Sequence, residues 1–456
     1  MEPERHDVVV VGGGPAGMVA ALEAARAGLT VALVEESDAL GGQYYRQRAP
    51  ALRAALGPHR PRGQRLIEAV RAAGVRVRTS TLVWGADGRT LMTSDTRDAG
   101  IGAIAGDAVV LATGGFERSV PFPGWELPGV VTPGCALRLA SVDGVPVGKR
   151  VVVAGTGPLL LVAAHDLLRA GAERLRVFEL GRGYRLDRGS LAAARHPARI
   201  AQLGGLLAGL ARHRVRVEAG MRIVRAEGDG RVERVTVASA DRPEAASTVE
   251  VDAVAVAFGL RPSTELVQLL GAAVRPDPAA PGDVLPVLDR YGETSVPGVF
   301  VVGEVAGIGG APLAESRGRV AGRRIAERLG RRPRPARGLQ RRRARQEAFA
   351  AFTAARFPVP SGLLAAIADE ALVCRCEGLT ARQVRAAAVE MGGDLAAVKA
   401  LSRAGMGPCQ GRACGPAVAA LAAEAGGTAG SAMRVQMPVK PILVRVPAGG
   451  GQAPAS

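Results

Sequence analysis

Val8–Gly28 reads VVVVGGGPAGMVAALEAARAG and Val151–Gly171 reads VVVAGTGPLLLVAAHDLLRAG; aligned without gaps, the two share 12 of 21 positions. Each begins with four small apolar residues suited to a buried strand. Each then makes a glycine turn, enters an Ala/Leu-rich helix and stops at Arg-Ala-Gly. A second apolar strand follows in both, at Thr30–Val34 and Arg174–Phe178. A strand, glycine turn, helix and second strand make a βαβ opening, so the chain is expected to hold two doubly wound α/β domains.

In the first opening Gly12, Gly14 and Gly17 form G-x-G-x-x-G directly after the strand. Gly12 permits the tight turn, Gly14 lets the backbone approach a pyrophosphate, and Gly17 allows close helix–strand packing. The free N–H groups at the helix start suit phosphates. Glu35 ends the second strand, where a carboxylate can accept bonds from ribose hydroxyls. The second opening keeps Gly155 and Gly157 but has Leu160 at the third position. Glu179 ends its second strand and favours NAD over NADP, while Arg182 and Arg185 keep NADP open. A duplicated domain can also keep its fold without binding a nucleotide, so the working state of this second site stays open.

The 456 residues suggest about three domains. Hydrophobic residues make up 48% and charged residues 22%, which excludes a disordered chain. Of 59 basic residues only Lys149, Lys399 and Lys440 are lysines, and the arginines run along the whole chain. That spread, with 3% aromatics, argues against a nucleic-acid surface. Met1–Asp7 carries charges of both signs and no apolar run, so no secretory signal is expected there. Apolar runs are broken before about 18 residues, so no membrane span is expected. Five cysteines are too few for a disulfide framework, and a reducing, cytoplasmic setting is expected. Arg331–Arg345, with Pro333 and Pro335, reads as a solvated linker that turns helical from Gln340 onward.

Four of the cysteines lie beyond that linker, as Cys374-Arg-Cys376 and Cys409-Gln-Gly-Arg-Ala-Cys414. Four thiolates from two loops can close over a metal centre. Structural zinc favours gaps of about two to four residues within each pair, and the one-residue gap of the first pair falls outside that range. An iron–sulfur cluster fits the spacing better, with a zinc-holding scaffold as the rival. Cys135 stands apart and reads as a small packed side chain.

The first opening, the apolar strand and turn AVVLATGG at Ala108–Gly115, and VFVVGE at Val299–Glu304 together resemble the glutathione-reductase-like superfamily of two-dinucleotide-domain flavoproteins. That resemblance implies FAD in the first site, lined by Ala112, Thr113, Gly114, Gly303 and Glu304. Family members usually carry Asp where this chain has Glu304. Disulfide reductases of the superfamily carry a Cys-x-x-x-x-Cys pair just after the first βαβ unit; Leu40–Gln47 has no cysteine, which excludes that dithiol chemistry.

Val373–Glu377, Thr380–Val384 and Leu401–Gly415 resemble the bacterioferritin-associated-ferredoxin-like domain. This implies a [2Fe–2S] cluster on Cys374, Cys376, Cys409 and Cys414, with Arg375, Arg403 and Arg412 offsetting its negative charge. With Gly41–Arg46, Pro121–Gly129 and Pro438–Pro441, the whole chain resembles the larger flavin-binding subunits of opine oxidases, D-hydroxyproline dehydrogenases and hydrogen cyanide synthases. Gly42 and Gln43 join the cofactor-binding residues on that basis.

The expected architecture is therefore two Rossmann-like domains and a small, mainly helical C-terminal iron–sulfur domain. The boundaries are 1–118 with 285–330 for FAD, 119–284 for the NAD(P)-binding-like domain and 331–362 for the linker. The cluster domain is 363–430 and the tail 431–456. The resemblance implies an electron-transferring oxidoreductase subunit that works in the oxidation of a secondary amine, imino or amino acid. Its partner would be a smaller D-amino-acid-oxidase-like flavoprotein subunit that meets the substrate. The alternative is a self-sufficient NAD(P)H-dependent FAD/iron–sulfur reductase exchanging electrons with small molecules. No histidine falls in a flavin or cluster motif, and no catalytic residue is assigned.

Overall fold

The two repeated openings lie at the centres of two separate sheets. The structure, a computed structural model, describes residues 2–56, 59–184, 196–239, 242, 244–280, 282–360, 362–428 and 432–443. Arg185 and the end of the tail fall outside them.

In the first sheet β1 (Glu4–Val11) runs parallel to β2 (Val31–Val34) and to β6 (Ile101–Leu111). β3 (Arg76–Arg78) extends the sheet beyond β2, and β4 (Thr81–Asp87) and β5 (Thr90–Asp95) fold back antiparallel onto the first half of β6. The second half of β6 instead takes β17 (Val299–Val301) in parallel, which brings the chain home to the sheet it began in. Successive strand side chains point to opposite faces. Val8 and Val10 accordingly enter one buried core while Val9 and Val11 enter another. This explains the unbroken apolar run.

Helix α1 (Pro15–Arg26) packs along α4 (Ala311–Arg328) at very close range. A Cβ on Gly318 would strike the Ala16 carbonyl, and one on Gly322 would strike that of Ala20. The two glycines are four apart, so they share one helix face.

The second sheet is all parallel, in the order β11 (Val217–Ala219), β10 (Arg174–Glu179), β9 (Arg150–Thr156), β15 (Ala253–Phe258), β8 (Val130–Val131). Helices α2 (Leu159–Arg169) and α3 (Pro197–Arg212) pack against it around a core that includes Leu160, Leu161 and Leu210. A three-stranded antiparallel sheet, β12 (Met221–Glu227), β13 (Arg234–Ser239) and β14 (Ala246–Glu250), is attached to the same unit. Two short antiparallel strands, β7 (Gly115–Glu117) and β16 (Leu260–Pro262), carry the chain out to this second unit and back.

The arginine-rich stretch becomes helix α5 (Leu339–Arg356), as expected from Gln340. Most residues of the stretch are exposed, with a few anchors. Leu339 is buried, Arg343 donates to the Arg290 carbonyl, and Glu347 pairs with both Arg317 and Arg343. The C-terminal unit has a small hairpin, β18 (Leu372–Cys374) with β19 (Leu379–Thr380), and helices α6 (Ala381–Glu390), α7 (Leu395–Ser402) and α8 (Gly415–Glu424). Its apolar residues do not make a private core. Val373, Cys374, Cys414 and Val418 share one buried cluster with Phe122, Trp125, Phe178 and Val254 of the second unit. No helix among the described residues is long and apolar enough to cross a membrane.

Candidate functional site

The first glycine turn is shaped by contacts that only glycine allows. Gly12 has φ +105°, and its backbone N donates to the Val34 carbonyl at 2.8 Å. A Cβ on Gly12 would strike the Ala112 carbonyl, and one on Gly17 would be driven into the Gly12 carbonyl. Gly42, at φ +56°, comes so close that its Cβ would lie 2.8 Å from the Gly14 Cα. Gly303 packs on Ala16 in the same way. The fold therefore brings Gly12, Gly14, Gly17, Gly42, Ala112 and Gly303 together around the start of α1. That helix begins with Pro15 and has neither a side-chain cap nor an acid in its first turn, so its N-terminal donors stay available to an anion.

Glu35 is buried beside this turn. Its Oε2 accepts from the Gly13 backbone N at 2.6 Å and its Oε1 from that of Ser37 at 2.8 Å. A carboxylate has about four lone-pair sites, so room remains for a ribose hydroxyl. Gln43 accepts from Arg46 at 2.8 Å. Thr113 and Gly114 continue from β6, where Thr113 Oγ1 donates to the Ser263 carbonyl at 2.8 Å. Glu304 is held differently. Its oxygens accept from the backbone N of Gly309 (2.9 Å) and Gly310 (2.7 Å), and burial pushes its carboxyl above the usual range. It braces its own loop.

Two neighbours of this site, Glu315 and Arg62, lie outside every sequence motif. The Tyr45 hydroxyl donates to buried Glu315 at 2.7 Å, and Glu315 also pairs with Arg62, which ties the Gly41–Arg46 loop to α4. Gly318 and Gly322 carried a readable signal, a small-residue spacing of four within an apolar-faced helix.

The second turn looks similar and is built otherwise. Gly155 has φ +130°, with the Ala257 carbonyl where a Cβ would go. Leu160 is fully buried in a core of its own, and α2 starts one residue later than α1 does in the aligned sequence. Glu179 is completely buried. It accepts from the backbone N of Gly157 and of Gly181, both at 3.1 Å, and burial raises its carboxyl pKa. The Tyr184 hydroxyl donates to the Gly157 carbonyl at 2.7 Å, and its ring lies 5.0 Å from that of Phe357. Arg356, at the end of α5, donates to the Gly183 carbonyl at 2.8 Å. The loop after β10 and the end of α5 thus fold over the second glycine turn.

The four C-terminal cysteines gather as a chain of thiols. Cys376 interacts with Cys409, Cys409 with Cys414, and Cys414 with Cys374. The hydrogen bond from Cys414 pulls Cys409 down to about 4 and Cys374 to about 6, while Cys414 itself is pushed far up. The four thiols are therefore linked to one another by hydrogen bonds within one small space. Among the described residues no three or more His, Cys, Asp or Glu converge to hold a single ion. A [2Fe–2S] cluster instead needs two thiolates on each of two irons. Cys374 and Cys414 are buried, Cys409 is half-buried and Cys376 is exposed. Cys414 sits at the N-terminus of α8, whose positive end suits a negative cluster.

The nearby arginines are already engaged. Arg403 pairs with Glu377 at 3.0 Å and Arg412 with Glu265 at 2.8 Å, while Arg375 stacks 3.9 Å above the Trp125 ring. They offset the cluster's charge less than free guanidinium groups would. Cys135, expected to be packed, is exposed instead.

Residues 6–322 match the family described as pyridine nucleotide-disulphide oxidoreductase, and residues 372–424 match the BFD-like [2Fe-2S] binding domain. The chain is 32% identical to an opine oxidase subunit of Rhizobium meliloti, across 96% of this chain and 86% of that one. It is 35% identical to hydrogen cyanide synthase subunit HcnB of Pseudomonas aeruginosa, across 89% of this chain and 90% of that one. In fold it is similar to L-proline dehydrogenase from P. horikoshii, with a TM-score of 0.68 at 22% identity over 97% of this chain and 80% of that chain.

Proposed function

We infer the function from one premise: the chain belongs to the pyridine nucleotide-disulphide oxidoreductase family and carries a C-terminal BFD-like [2Fe-2S] domain. It is a flavin oxidoreductase containing FAD and a [2Fe–2S] cluster, and the domain match decides for iron–sulfur over zinc. In our reading Gly12, Gly14, Gly17, Glu35, Gly42, Gln43, Ala112, Thr113, Gly114, Gly303 and Glu304 surround the FAD. Cys374, Cys376, Cys409 and Cys414 hold the cluster, and the domain limits are those given above. Bound FAD takes up electrons in pairs and can release them singly, which suits a one-electron cluster.

The chain acts as one subunit in the oxidation of a secondary amine, imino or amino acid. A smaller flavoprotein of the D-amino-acid-oxidase type removes hydride from the substrate, and this chain carries the electrons onward. The observation that bears most on this reading is the pairing of two sites in one body. A phosphate-binding turn without an assigned acid–base pair and a thiol group fit for a cluster share one chain, the thiols packing through an apolar core on the second unit. The names of the relatives, subunits of an opine oxidase and a hydrogen cyanide synthase, agree with it.

Co-expression with candidate smaller flavoproteins tests the reading. The pair should reduce an artificial dye with an imino or amino acid, and neither chain alone should. Dye reduction by this chain alone with such a substrate would overturn the division of labour. The rival reductase, served by Gly155, Gly157 and Glu179, predicts that anaerobic NADH bleaches the flavin of the isolated chain within seconds. Leu160 and the Tyr184 cover over Gly157 argue that it does not.

A further inference from the structure

The crossover strands β7 and β16 hold a buried ion network that neither dinucleotide site uses. Arg118, just after β7, is 2% exposed and pairs with Asp283, itself 3% exposed. The other carboxylate oxygen of Asp283 takes Arg261, on β16. Burial lowers the pKa of Arg118, and Asp283 opposite counters that. A buried charge is costly unless paired, and with Arg118 on one oxygen and Arg261 on the other Asp283 keeps a partner when Arg261 is removed.

Arg261 sits on a strand bonded to the first site, and its side chain reaches the cysteine loop. On one side β16 is tied to the turn that follows β6. The Ser263 backbone N donates to the Gly114 carbonyl at 3.0 Å, and Thr113 Oγ1 donates to the Ser263 carbonyl at 2.8 Å. On the other side Arg261 Nη1 donates to the backbone carbonyl of Arg412 at 2.5 Å. Arg412 lies between Cys409 and Cys414. One guanidinium on β16, a strand bonded through Ser263 to the turn assigned to the flavin, thus reaches the loop assigned to the cluster.

We propose that Arg261 is a positioning residue for electron transfer within this chain, fixing the Cys409–Cys414 loop against the flavin turn. The proposal rests on the reading that Ala112–Gly114 lines FAD and that the four cysteines hold the cluster. A reduced flavin held against Ala112–Gly114 would supply one electron, with its proton released to water, and a cluster held by Cys374, Cys376, Cys409 and Cys414 would take that electron on one ferric ion. In the assay, which holds no acceptor beyond the cluster, one electron per cluster would be transferred and the second would stay on the flavin. Arg261 carries no electron; it sets the separation and alignment on which the transfer depends.

The test uses the full holoprotein without oxygen. Light with EDTA as donor reduces the flavin, and the rise of the reduced cluster's EPR signal, followed by freeze-quenching, reports transfer. In Arg261→Gln the FAD, iron and sulfide contents and the EPR line shape should stay unchanged, while the cluster signal lags flavin bleaching by about tenfold or more. Arg261→Lys keeps the charge opposite Asp283 without the planar fork and should restore part of the rate. Trp125→Phe is the contrast. It cuts a different tether of the cluster domain, the 2.6 Å bond from Trp125 Nε1 to the Leu372 carbonyl, and should change the rate less than about twofold.

An unchanged lag in Arg261→Gln, or an equal lag in Trp125→Phe, would overturn the proposal. Should Arg261→Gln come out short of iron, Arg261→Lys decides: a rate equal to that of the unmodified protein overturns it. An unmodified protein holding FAD but no iron or sulfide would instead overturn the cluster reading beneath it, so the two failures are told apart.

Discussion

The two glycine turns differ at one aligned position, and that difference spreads outward. Gly17 lets α1 descend until a Cβ would collide with the Gly12 carbonyl. The same closeness continues to α4 through Gly318 and Gly322, so a whole face is made of small residues. At Leu160 the counterpart helix stands off, and its leucine fills a core instead. The first unit excludes side chains around its glycine turn, whereas the second buries a leucine at the aligned position. A repeat alike in 12 of 21 positions therefore carries two different packings.

The most severe way to break this contrast is Gly17→Val. Its side chain has no space beside the Gly12 carbonyl, and the clash is with backbone rather than a flexible neighbour. Purified protein should contain almost no FAD, and the loss in stability should reach about 4 kcal/mol or more, read by flavin absorbance and denaturant unfolding. Full flavin content in this variant would mean the first turn is not the cofactor's seat.

Leu160→Gly restores the fingerprint on paper and is expected to damage the protein. Removing a fully buried leucine leaves a cavity costing about 2–5 kcal/mol, and glycine within a helix adds about 1 kcal/mol. NADH affinity should not appear, because Tyr184 still bonds the Gly157 carbonyl and its loop is held at Gly183 by Arg356. Tight NADH binding by this variant, measured by fluorescence titration, would show that Leu160 alone had closed the site.

Gly318→Ala tests the helix contact rather than the turn. Its methyl would press on the Ala16 carbonyl, so α1 and α4 must part slightly. Overpacking of this kind costs about 1–3 kcal/mol, and FAD should bind more weakly because α1 carries the turn. A variant as stable as the parent, with unchanged flavin affinity, would make the close packing incidental.

Much of this was legible in the sequence for a physical reason. Glycine fingerprints, unbroken valine runs and clustered cysteines are local patterns, and local patterns fix local geometry. Gly12, Gly14, Gly17 and Glu35 come together as expected, and the arginine-rich stretch turns helical close to Gln340. What escaped lies between distant parts of the chain. Arg118 and Asp283 are 165 residues apart, and Trp125 reaches Leu372 across 247. Nothing local marks Asp283 as the partner of two arginines among 59 basic residues. The shared core of the second unit and the cluster domain escaped likewise, because an apolar face does not name what it packs against. The engagement of Arg403 and Arg412 by glutamates is of the same kind.

The subtlest contrast lies in the strand-end acids. Glu179 is fully buried, and desolvation raises its carboxyl pKa above its ordinary value of 4.5, against the opposing bonds from Thr156, Gly181 and Gly157. Between 4.5 and that raised value the folded chain holds a proton that the unfolded chain has released. Stability therefore falls as pH rises through this window, and the penalty is complete above the folded pKa. Glu179→Gln cannot ionise, so it escapes that penalty while losing one acceptor at every pH. Measured against the parent from about pH 4.5 to about pH 8, its relative melting temperature should climb with pH. A flat difference would mean that Glu179 keeps its charge without penalty and is the stronger nucleotide ligand after all. Bound NAD would itself change the slope, since ribose hydroxyls donating to the carboxylate favour its ionised form. Repeating the pH series with NADH present therefore asks the second turn directly whether it still binds a dinucleotide, and an unaltered slope answers that it does not.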